Sequence, residues 1–334
     1  METPELPHLE QGDYINEYAV IRQLGKGAAA CVFEVKTNVH GRDYFSALKL
    51  FSMNHTHVWE TELNILRKLK RDPSFQSRCL MNVLDSGSFQ IDATRYNYIS
   101  FPLLGSSLFD VMYHEYKITE TVAHFLKEDI KEIGWQIASA LQFVHSKNII
   151  HGDVKPENVM FVDPDVVHSI TNSAVRLRDN RIKLIDFNGS IEMDDDYYIT
   201  AKSKLQTMHY RAPEVCLGSA VNTQIDVWSY GCLLFEMYSG DVLFSSIEEP
   251  DLVSQFYKTF GVRMPSNMLR KAQEVGSINV RPSRGSFRLR ERIDLETEAQ
   301  NFESAIRFGE PEAIPTSAQL LRCIGVRLLC NLPS

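Results

Sequence analysis

The chain contains 334 residues, which is enough for one large domain or for two lobes. Hydrophobic residues make up 44% of it, so a sizeable buried core is expected. The formal net charge of -8 at pH 7 disfavours direct binding to nucleic acid or to anionic membranes, and it favours basic partners. Six scattered cysteines without a CxxC pair indicate a reducing compartment rather than a disulfide framework or a zinc site.

Residues 1–16 form a predicted polar extension. Their acidic composition differs from that of a signal peptide, which carries a basic start and an apolar centre. No apolar run in the chain approaches the length that a membrane-spanning helix needs. We therefore expect a protein without a secretory leader or a membrane span.

Two strands joined by a glycine-containing turn are predicted next. YAVIRQL (residues 18–24) and VFEV (residues 32–35) are the strands, and GKGAAAC separates them. Gly25 and Gly27 would let the backbone approach phosphates and offer its N–H groups to them. Hairpins with a glycine in the turn are common, so this signal alone is weak.

A third strand, YFSALKL (residues 44–50), places Ala47 and Lys49 on one face, because strand side chains alternate. A small side chain beside a cation would suit a purine and its phosphates. Taken alone, an exposed lysine on a half-buried strand is the favoured alternative.

A helix is predicted over HVWETELNILRKLKR (residues 57–71). Its apolar stripe contains Ile65, Leu66 and Leu69. Glu62 precedes Leu66 by four residues and so shares the inward face, where a carboxylate needs a partner. Glu60 is the alternative inward carboxylate. Further strands follow over residues 81–89 and 96–101, and a second amphipathic helix over residues 130–146.

The stretch HGDVKPEN (residues 151–158) places three chemically useful side chains in one short loop between two predicted strands. Asp153 can accept a proton from a hydroxyl nucleophile, and Lys155 can neutralise charge on a phosphate in transfer. Asn158 can coordinate a divalent cation. Asp186 follows a later strand in KLIDFNG, where a carboxylate suits a metal held against phosphates. A solvated surface turn is the alternative for the first loop alone.

Two later segments complete the predicted elements. Residues 163–180 are polar and irregular, and we expect an inserted loop there and no motif of functional interest. Residues 226–240, DVWSYGCLLFEMYSG, are apolar on nearly every side and predict a buried helix.

These motifs together resemble the eukaryotic protein kinases, from about Gly12 to the last residues. The kinase pattern G-x-G-x-x-G-x-V falls on Gly25, Gly27, Ala30 and Val32, and HYRAPEV follows the loop motifs. The resemblance implies an α+β, bilobal fold that binds ATP and Mg²⁺. Its small lobe, residues 17–101, would hold an antiparallel sheet and one key helix, and its larger, mainly helical lobe would span residues 102–334.

The resemblance also implies roles for individual residues. Phe101 would close the back of the adenine pocket, residues 102–104 would be the hinge, and Asp226 would support the catalytic loop. Lys49 would pair with Glu62. The implied catalytic residues are Asp153 and Lys155, the metal ligands Asn158 and Asp186, and the ATP contacts Leu24, Gly25, Gly27, Val32, Ala47, Lys49, Glu62, Leu104 and Met160.

Within the kinases the chain is similar to the LAMMER-type (Cdc2-like) dual-specificity group of the CMGC branch. The matching segments are ELNIL, ISFPLLG, the DDD run and HYRAPEV. This similarity implies phosphorylation of Ser, Thr and Tyr in basic, Arg/Ser-rich protein substrates, by a monomer in the nucleus or the cytoplasm. Residues 281–292 are basic, and a solvated insert is favoured there over a docking patch.

Three residues depart from the kinase pattern. Ala30 replaces the third glycine, Asn188 replaces the glycine of DFG, and Gly152 stands where many kinases carry arginine. A catalytically silent kinase fold that serves as a binding module is therefore the rival hypothesis, although all six catalytic polar positions are present. A small-molecule kinase would leave YRAPEV unexplained. Because Gly152 carries no charge, activity is expected without phosphorylation of the activation segment, residues 192–207.

The resemblance makes one further prediction, about Glu214. In related kinases this glutamate pairs with an arginine in a late loop, and matching NLPS to that loop places the arginine just past Ser334. The expected fold is then truncated and Glu214 lacks its partner, unless Arg322 or Arg327 substitutes.

Overall fold

The structure is a computed structural model that describes residues 6–91, 94–113, 122–171, 174–193, 199–200 and 205–260. Six antiparallel strands form the amino-terminal sheet in the order β1-β2-β3-β4-β6-β5. Side chains of these strands form a buried hydrophobic cluster that includes Val20, Phe33, Leu48 and Tyr98. The strands are β1 (Tyr14–Ile15), β2 (Tyr18–Lys26), β3 (Ala30–Val39), β4 (Arg42–Phe51), β5 (Asp85–Ile91) and β6 (Thr94–Pro102).

The predicted glycine hairpin is present, with longer strands than expected. Gly25 lies inside β2 opposite Val32, and the turn is confined to the residues between Lys26 and Ala30. The Gly27 N–H donates to the Ala30 carbonyl at 2.8 Å and closes the turn. Neither Gly25 nor Gly27 has a positive φ, so neither backbone conformation requires glycine.

The predicted first helix is α1 (Thr56–Lys70). Its inward face buries Glu62 together with Leu63, Ile65, Leu66 and Leu69, as the spacing predicted. Arg67, Lys68 and Lys70 lie in its last turn, where cations are favoured by the helix dipole. The Trp59 indole donates to the Tyr98 carbonyl at 3.2 Å and holds the helix on the sheet.

The strand predicted over residues 81–89 begins only at Asp85. The Met81 N–H donates to the Leu184 carbonyl at 3.1 Å, and Leu80 forms a parallel bridge with Leu184. The backbone at Met81 is therefore held by the carboxy-terminal half of the molecule, whereas the Leu84 N–H already donates to the Ser100 carbonyl of β6 at 2.9 Å. A strand requires consecutive pairing with one neighbour, and the residue-by-residue pairing of this segment with β6 begins at Asp85.

The described part of the carboxy-terminal lobe contains five α-helices: α2 (Leu108–Met112), α3 (Lys127–His145), α4 (Pro213–Cys216), α5 (Gln224–Ser239) and α6 (Glu249–Phe260). Helix α5 is buried on most sides, as its composition predicted. Gly134 lets α3 approach it, since a Cβ there would lie 3.1 Å from Leu234 Cδ2. Helix α5 ends at Gly240, whose φ of 76° favours glycine.

The expectation of an irregular loop over residues 163–180 is wrong. Strands β10 (Val167–Thr171) and β11 (Ala174–Leu177) form an antiparallel hairpin there. Strand β11 also runs parallel to β7 (His124–Phe125), far earlier in the chain. The buried Val166 and Val175 join this hairpin to the main core. Its apolar residues are spaced too sparsely for sequence alone to predict pairing with a distant strand.

Short strand pairs hold the loops that contain the motif residues. These pairs are β8 (Ile149–Ile150) with β13 (Ile191–Glu192), β9 (Val159–Phe161) with β12 (Ile182–Leu184), and β14 (Ile199–Thr200) with β15 (Ala220–Val221). No helix in the described ranges is long and apolar enough to cross a membrane. Several features of the sequence lie outside the described residues: the DDD run at residues 194–196, the basic stretch 281–292, Arg322 and Arg327.

Glu214 lies in the first turn of the short helix α4 and is buried at its carboxylate. Its Oε2 has no hydrogen-bond partner among the residues that the structure describes. Burial raises the pKa of Glu214 to about 7. A carboxylate in this setting prefers to be protonated, and its ionisation destabilises the folded state.

We expect Glu214→Gln to stabilise the protein at high pH. A folded pKa above the unfolded value means that ionisation weakens the fold as the pH rises from about 4.5 to about 7. The substitution should therefore raise the free energy of unfolding by about 1–3 kcal/mol at pH 8 and have little effect at pH 5. Urea unfolding at both pH values measures this. A loss of stability at pH 8 would instead reveal a cationic partner for Glu214.

Candidate functional site

The loop of residues 151–158 lies between β8 and β9 and is held by one buried carboxylate. Asp226 at the start of α5 accepts the backbone N–H groups of His151 and Gly152, both at 2.8 Å. The Nε2 of His145 lies 2.8 Å from the same carboxylate. Asp226 is fully buried, so these three donors satisfy a group that would otherwise be costly to bury. The predicted contact between Asp226 and the loop backbone is present.

Gly152 has a backbone that favours glycine. Its φ is +81°, and a Cβ at this position would lie 2.8 Å from the Gly189 carbonyl oxygen. The backbone of Gly189, in the loop after β12, therefore packs directly onto the loop that contains Asp153. An arginine here would require both a strained φ and movement of Gly189, so the uncharged residue at this position is fitted to its surroundings.

Asp153 is held by contacts to both carboxylate oxygens. Its Oδ1 accepts hydrogen bonds from the Thr207 backbone N–H at 3.1 Å and from the Thr207 hydroxyl at 2.7 Å. Its Oδ2 lies 2.9 Å from Lys155 Nζ, which also donates to the Thr207 hydroxyl at 2.9 Å. Thr207 was missed in the sequence. Its position four residues before the arginine of YRAPEV was the available signal.

Asn158 is a buried residue of the same loop, and it contacts Asp153 through its side-chain amide. Its amide nitrogen donates to the Asp153 carbonyl at 2.8 Å and to Asp153 Oδ2 at 3.1 Å. These bonds use the nitrogen and leave Oδ1 as an acceptor. An amide oxygen together with the Asp186 carboxylate is the donor chemistry that Mg²⁺ takes alongside phosphate oxygens. The two predicted ligands therefore fit a magnesium ion.

Lys49 joins two carboxylates from different parts of the chain. Its Nζ lies 2.7 Å from Glu62 Oε2 and 2.6 Å from Asp186 Oδ1. The predicted pairing with Glu62 is present, and Glu60 is exposed on the other side of α1. The contact with Asp186 was not predicted. It joins β4, helix α1 and the loop after β12 at a single ammonium group.

Lys49 and Asp186 stay ionised despite their burial, because their opposite charges compensate each other. Burial acts to lower the pKa of Lys49, but the carboxylates of Asp186 and Glu62 outweigh it and raise the pKa. Burial likewise acts to raise the pKa of Asp186, and the Lys49 ammonium outweighs it and holds the pKa below its usual value. Both groups are thus charged at neutral pH, as binding a metal and phosphates requires.

The sheet register places the predicted nucleotide contacts on one surface. Gly25 pairs with Val32, Val32 with Lys49, and Ala47 with Phe101 on β6. Directly opposed residues of an antiparallel sheet share a face, so these side chains lie beside the Lys49 ammonium. Phe101 is buried. The remaining predicted contacts keep partial exposure, as a pocket wall would: Leu24, Leu104 and Met160.

The glycine turn leaves room above this surface. A Cβ at Gly25 would meet nothing within 4 Å, and one at Gly27 would meet only the Ala30 carbonyl at 3.7 Å. The space beside these glycines is thus not filled by the protein. This room is consistent with the predicted close approach of phosphates to the turn, but the Gly27 N–H is bonded to the Ala30 carbonyl in this structure and is not offered to them as predicted.

The loop after β12 forms with asparagine at position 188. Asp186, not Asn188, has the positive φ, at 66°. The Asn188 backbone N–H bonds to the Asp186 carboxylate. Phe187 is fully buried against the His151 ring, with ring centres 4.8 Å apart. The replacement of glycine by asparagine is therefore accommodated without a strained backbone at that residue.

The resemblance to protein kinases implies phosphoryl transfer. For that reaction we expect Glu62→Gln to lower the rate about 10- to 100-fold, because losing a charge-assisted contact to Lys49 costs about 1.5–3 kcal/mol. Steady-state peptide phosphorylation with varied ATP measures it. The control is Glu60→Gln, which makes the same chemical change at an exposed position of the same helix. If Glu60→Gln impaired the rate and Glu62→Gln did not, the assignment of the inward carboxylate would be wrong.

Comparison with known proteins agrees with this geometry. The family model of the protein kinase domain matches residues 18–314. The serine/threonine-protein kinase Doa of Drosophila melanogaster is 31% identical over 271 residues, which cover 78% of this chain and 30% of Doa. The dual specificity protein kinase CLK2 of Mus musculus is 30% identical over 277 residues, covering 79% of this chain and 51% of CLK2. This chain thus spans about half or less of these relatives.

A solved structure gives the same result. The crystal structure of the PF14_0431 kinase domain superposes with a TM-score of 0.67 at 27% identity, and the match covers 81% of this chain and 78% of that chain. The residues matched by the family model include most of the described structure. They include Lys49 with its two carboxylate partners, and the loop around Asp153. On this evidence the chain belongs to the protein kinase family.

Proposed function

We propose that the chain is an ATP-dependent protein kinase that transfers the γ-phosphoryl group of ATP to hydroxyl groups of Ser and Thr, and also of Tyr, in protein substrates. One observation supports this most. The six polar side chains that the chemistry needs form two charge-compensated groups, one around Lys49 and one around Asp153, within a kinase fold.

The chain's own residues divide the work between these two groups. Asp153 orients the acceptor hydroxyl and accepts its proton, and Lys155 neutralises charge that develops on the transferred phosphoryl group. Lys49, kept in place by Glu62, binds nucleotide phosphates. Asn158 and Asp186 hold Mg²⁺, which supplies charge neutralisation on the phosphates when bound. Thr207 positions Asp153 and Lys155 through the contacts described above.

The adenine site in this proposal is apolar and lies under the glycine turn. Leu24, Val32, Ala47 and Met160 enclose the base, and the open space beside Gly25 and Gly27 takes the phosphates. Leu104 donates its backbone N–H to the base, since Pro102 has none. The lobe boundary proposed at residues 101–102 coincides with the end of β6.

Basic substrates follow from the charge distribution. The chain has a net charge of -8, and carboxylates collect beside the catalytic loop. Burial, and after it the nearby carboxylates of Glu236, Asp241 and Glu157, raises the pKa of Tyr113. Of these carboxylates Glu236 is buried, whereas Asp241 lies exposed at the surface. Glu157 is itself an exposed member of the loop. A peptide with arginines near its acceptor residue would therefore be attracted to this surface.

The proposal includes a compartment and an assembly state. Cysteines 31, 79, 216 and 232 are free thiols, as expected in the nucleus or the cytoplasm. Every catalytic group named above comes from one chain, so a monomer is sufficient for the reaction. Neither nucleic acid nor a membrane is a direct partner in this proposal, in keeping with the negative charge.

Replacing Asp153 by Asn tests the enzymatic function. We expect turnover to fall at least about 100-fold, because the proton acceptor is lost, while ATP affinity stays within about twofold. Radiolabelled transfer and calorimetric titration of MgATP measure the two quantities. Asp165→Asn, a matched change at an exposed site of the same lobe, should leave both unchanged. Near-normal turnover in Asp153→Asn, or ATP binding by the wild-type protein without any transfer, would contradict the proposal.

Substrate charge is tested with peptide panels. At low salt, an Arg-rich acceptor peptide should have a kcat/KM about tenfold above that of a Glu-rich peptide, and 0.5 M salt should reduce the ratio by screening. Glu157→Gln should reduce the preference. The matched control is Glu132→Gln, at an exposed position of α3 away from the loop. Equal rates on both peptides at low salt would refute the preference for basic substrates.

A further inference from the structure

A polar cluster lies at the carboxy-terminal end of α1, outside the site described above. We call it the outer cluster; its members are Lys68, Asp72, Lys147, Asn148 and Glu192. Lys68 forms an ion pair with Glu192 and donates to the Lys147 carbonyl at 3.3 Å. The Lys147 ammonium lies 2.6 Å from Asp72. Three segments therefore meet: the end of α1, the turn after α3, and β13.

The outer cluster connects the same two elements that Lys49 connects. Glu62 lies on α1 and Asp186 on the loop that leads into β13, and Lys49 holds both. Lys68 lies almost two turns further along α1, or about 9 Å along its axis. Glu192 lies on β13, beyond Asp186. Helix α1 is thus attached to the segment after Asp186 at two separated points.

Two attachment points restrain a helix more than one does. Trp59 attaches α1 to the sheet. With Lys49 as its one link to the segment after Asp186, the helix could still turn about Glu62 relative to that segment and take its carboxylate out of line. The second point fixes the direction of the helix axis. Strand β13 is itself held to the catalytic loop, through pairing with β8 and through the Met193 N–H, which donates to the Asn148 carbonyl at 2.8 Å. The second point is therefore part of the frame that holds Asp153.

We propose that Lys68 and Glu192 are a positioning pair that keeps α1 in the orientation in which Glu62 contacts Lys49. The pair acts within the chain itself. Gly152 offers no cation that a phosphorylated activation segment could bind, so this contact supplies a charge-based attachment that needs no modification. The inference rests on the proposed kinase function, since its readout is phosphoryl transfer.

The exposure of the pair determines how it acts. The side chains of Lys68 and Glu192 are 37% and 49% exposed, so their ion pair adds little to global stability and is weakened by salt. A contact of this size is nevertheless sufficient to shift an equilibrium between two orientations of one helix. We therefore expect a defect in activity without a matching defect in folding.

Charge reversal tests the pair. Lys68→Glu and Glu192→Lys should each lower kcat/KM about tenfold at low salt, because like charges then face each other. Combining them should restore activity to within about threefold of wild type. The matched control is Lys36→Glu, which breaks the similarly exposed Lys36–Asp43 ion pair of the same lobe and should change kcat/KM less than twofold. Thermal melting of every variant should match that of the wild type.

A double-mutant cycle separates positioning from a general structural effect. In a Glu62→Gln background, Lys68→Glu should cost little further activity, because the contact that it positions is already lost. Phosphatase treatment of the wild type should leave its rate unchanged. Equal activity of Lys68→Glu and Lys36→Glu, failure of the reversed pair to restore activity, or additive losses with Glu62→Gln would each overturn the inference. If Lys68→Glu melted early, Glu192→Lys and its rescue would decide.

These outcomes are distinct from failure of the proposed function. A wild-type protein with no transfer that depends on Asp153 would contradict the kinase proposal itself. An active wild type whose rate is insensitive to both charge reversals would contradict only the positioning pair.

Discussion

The active arrangement depends on a single buried ammonium group. Among the ion pairs of the described residues, those of Lys49 reach both Glu62 and Asp186. These two carboxylates come from different segments of the chain. Burying three charged groups is unfavourable unless they lie against one another. The need to neutralise these charges therefore fixes the positions of three segments. The sheet, helix α1 and the loop after β12 must come together for any of them to bury its charged side chain.

Asp226 has the corresponding role on the opposite side of the cleft. It projects from the buried helix α5 and orders the backbone of His151 and Gly152. The loop that contains Asp153 is thus positioned by a buried helix of the larger lobe. Thr207 adds a contact from the segment that precedes YRAPEV, so that segment and the loop are held together. The chemistry is built on backbone and carboxylate contacts rather than on packing alone.

Sequence patterns predicted the elements whose signals are local. Helix α1 followed from its apolar stripe, α5 from its uniform apolar composition, and the motif loops from their polar residues between apolar runs. Features that depend on distant partners were missed. Strand β11 pairs with β7, Met81 pairs with Leu184, and Asp186 reaches Lys49 only after the two lobes meet. No local periodicity encodes such contacts, because they are set by topology.

The close approach of Gly152 to Gly189 has a consequence for how this protein can change over evolution. Many kinases acquire control by phosphorylation through an arginine at this position. Here the arginine would have to adopt a φ near +81° and displace a carbonyl that lies 2.8 Å from its Cβ. Backbone strain of this kind costs about 1–3 kcal/mol before any phosphate can offset it. A single substitution of Gly152 by arginine would therefore destabilise this loop first, and any control through a phosphate would have to overcome that cost.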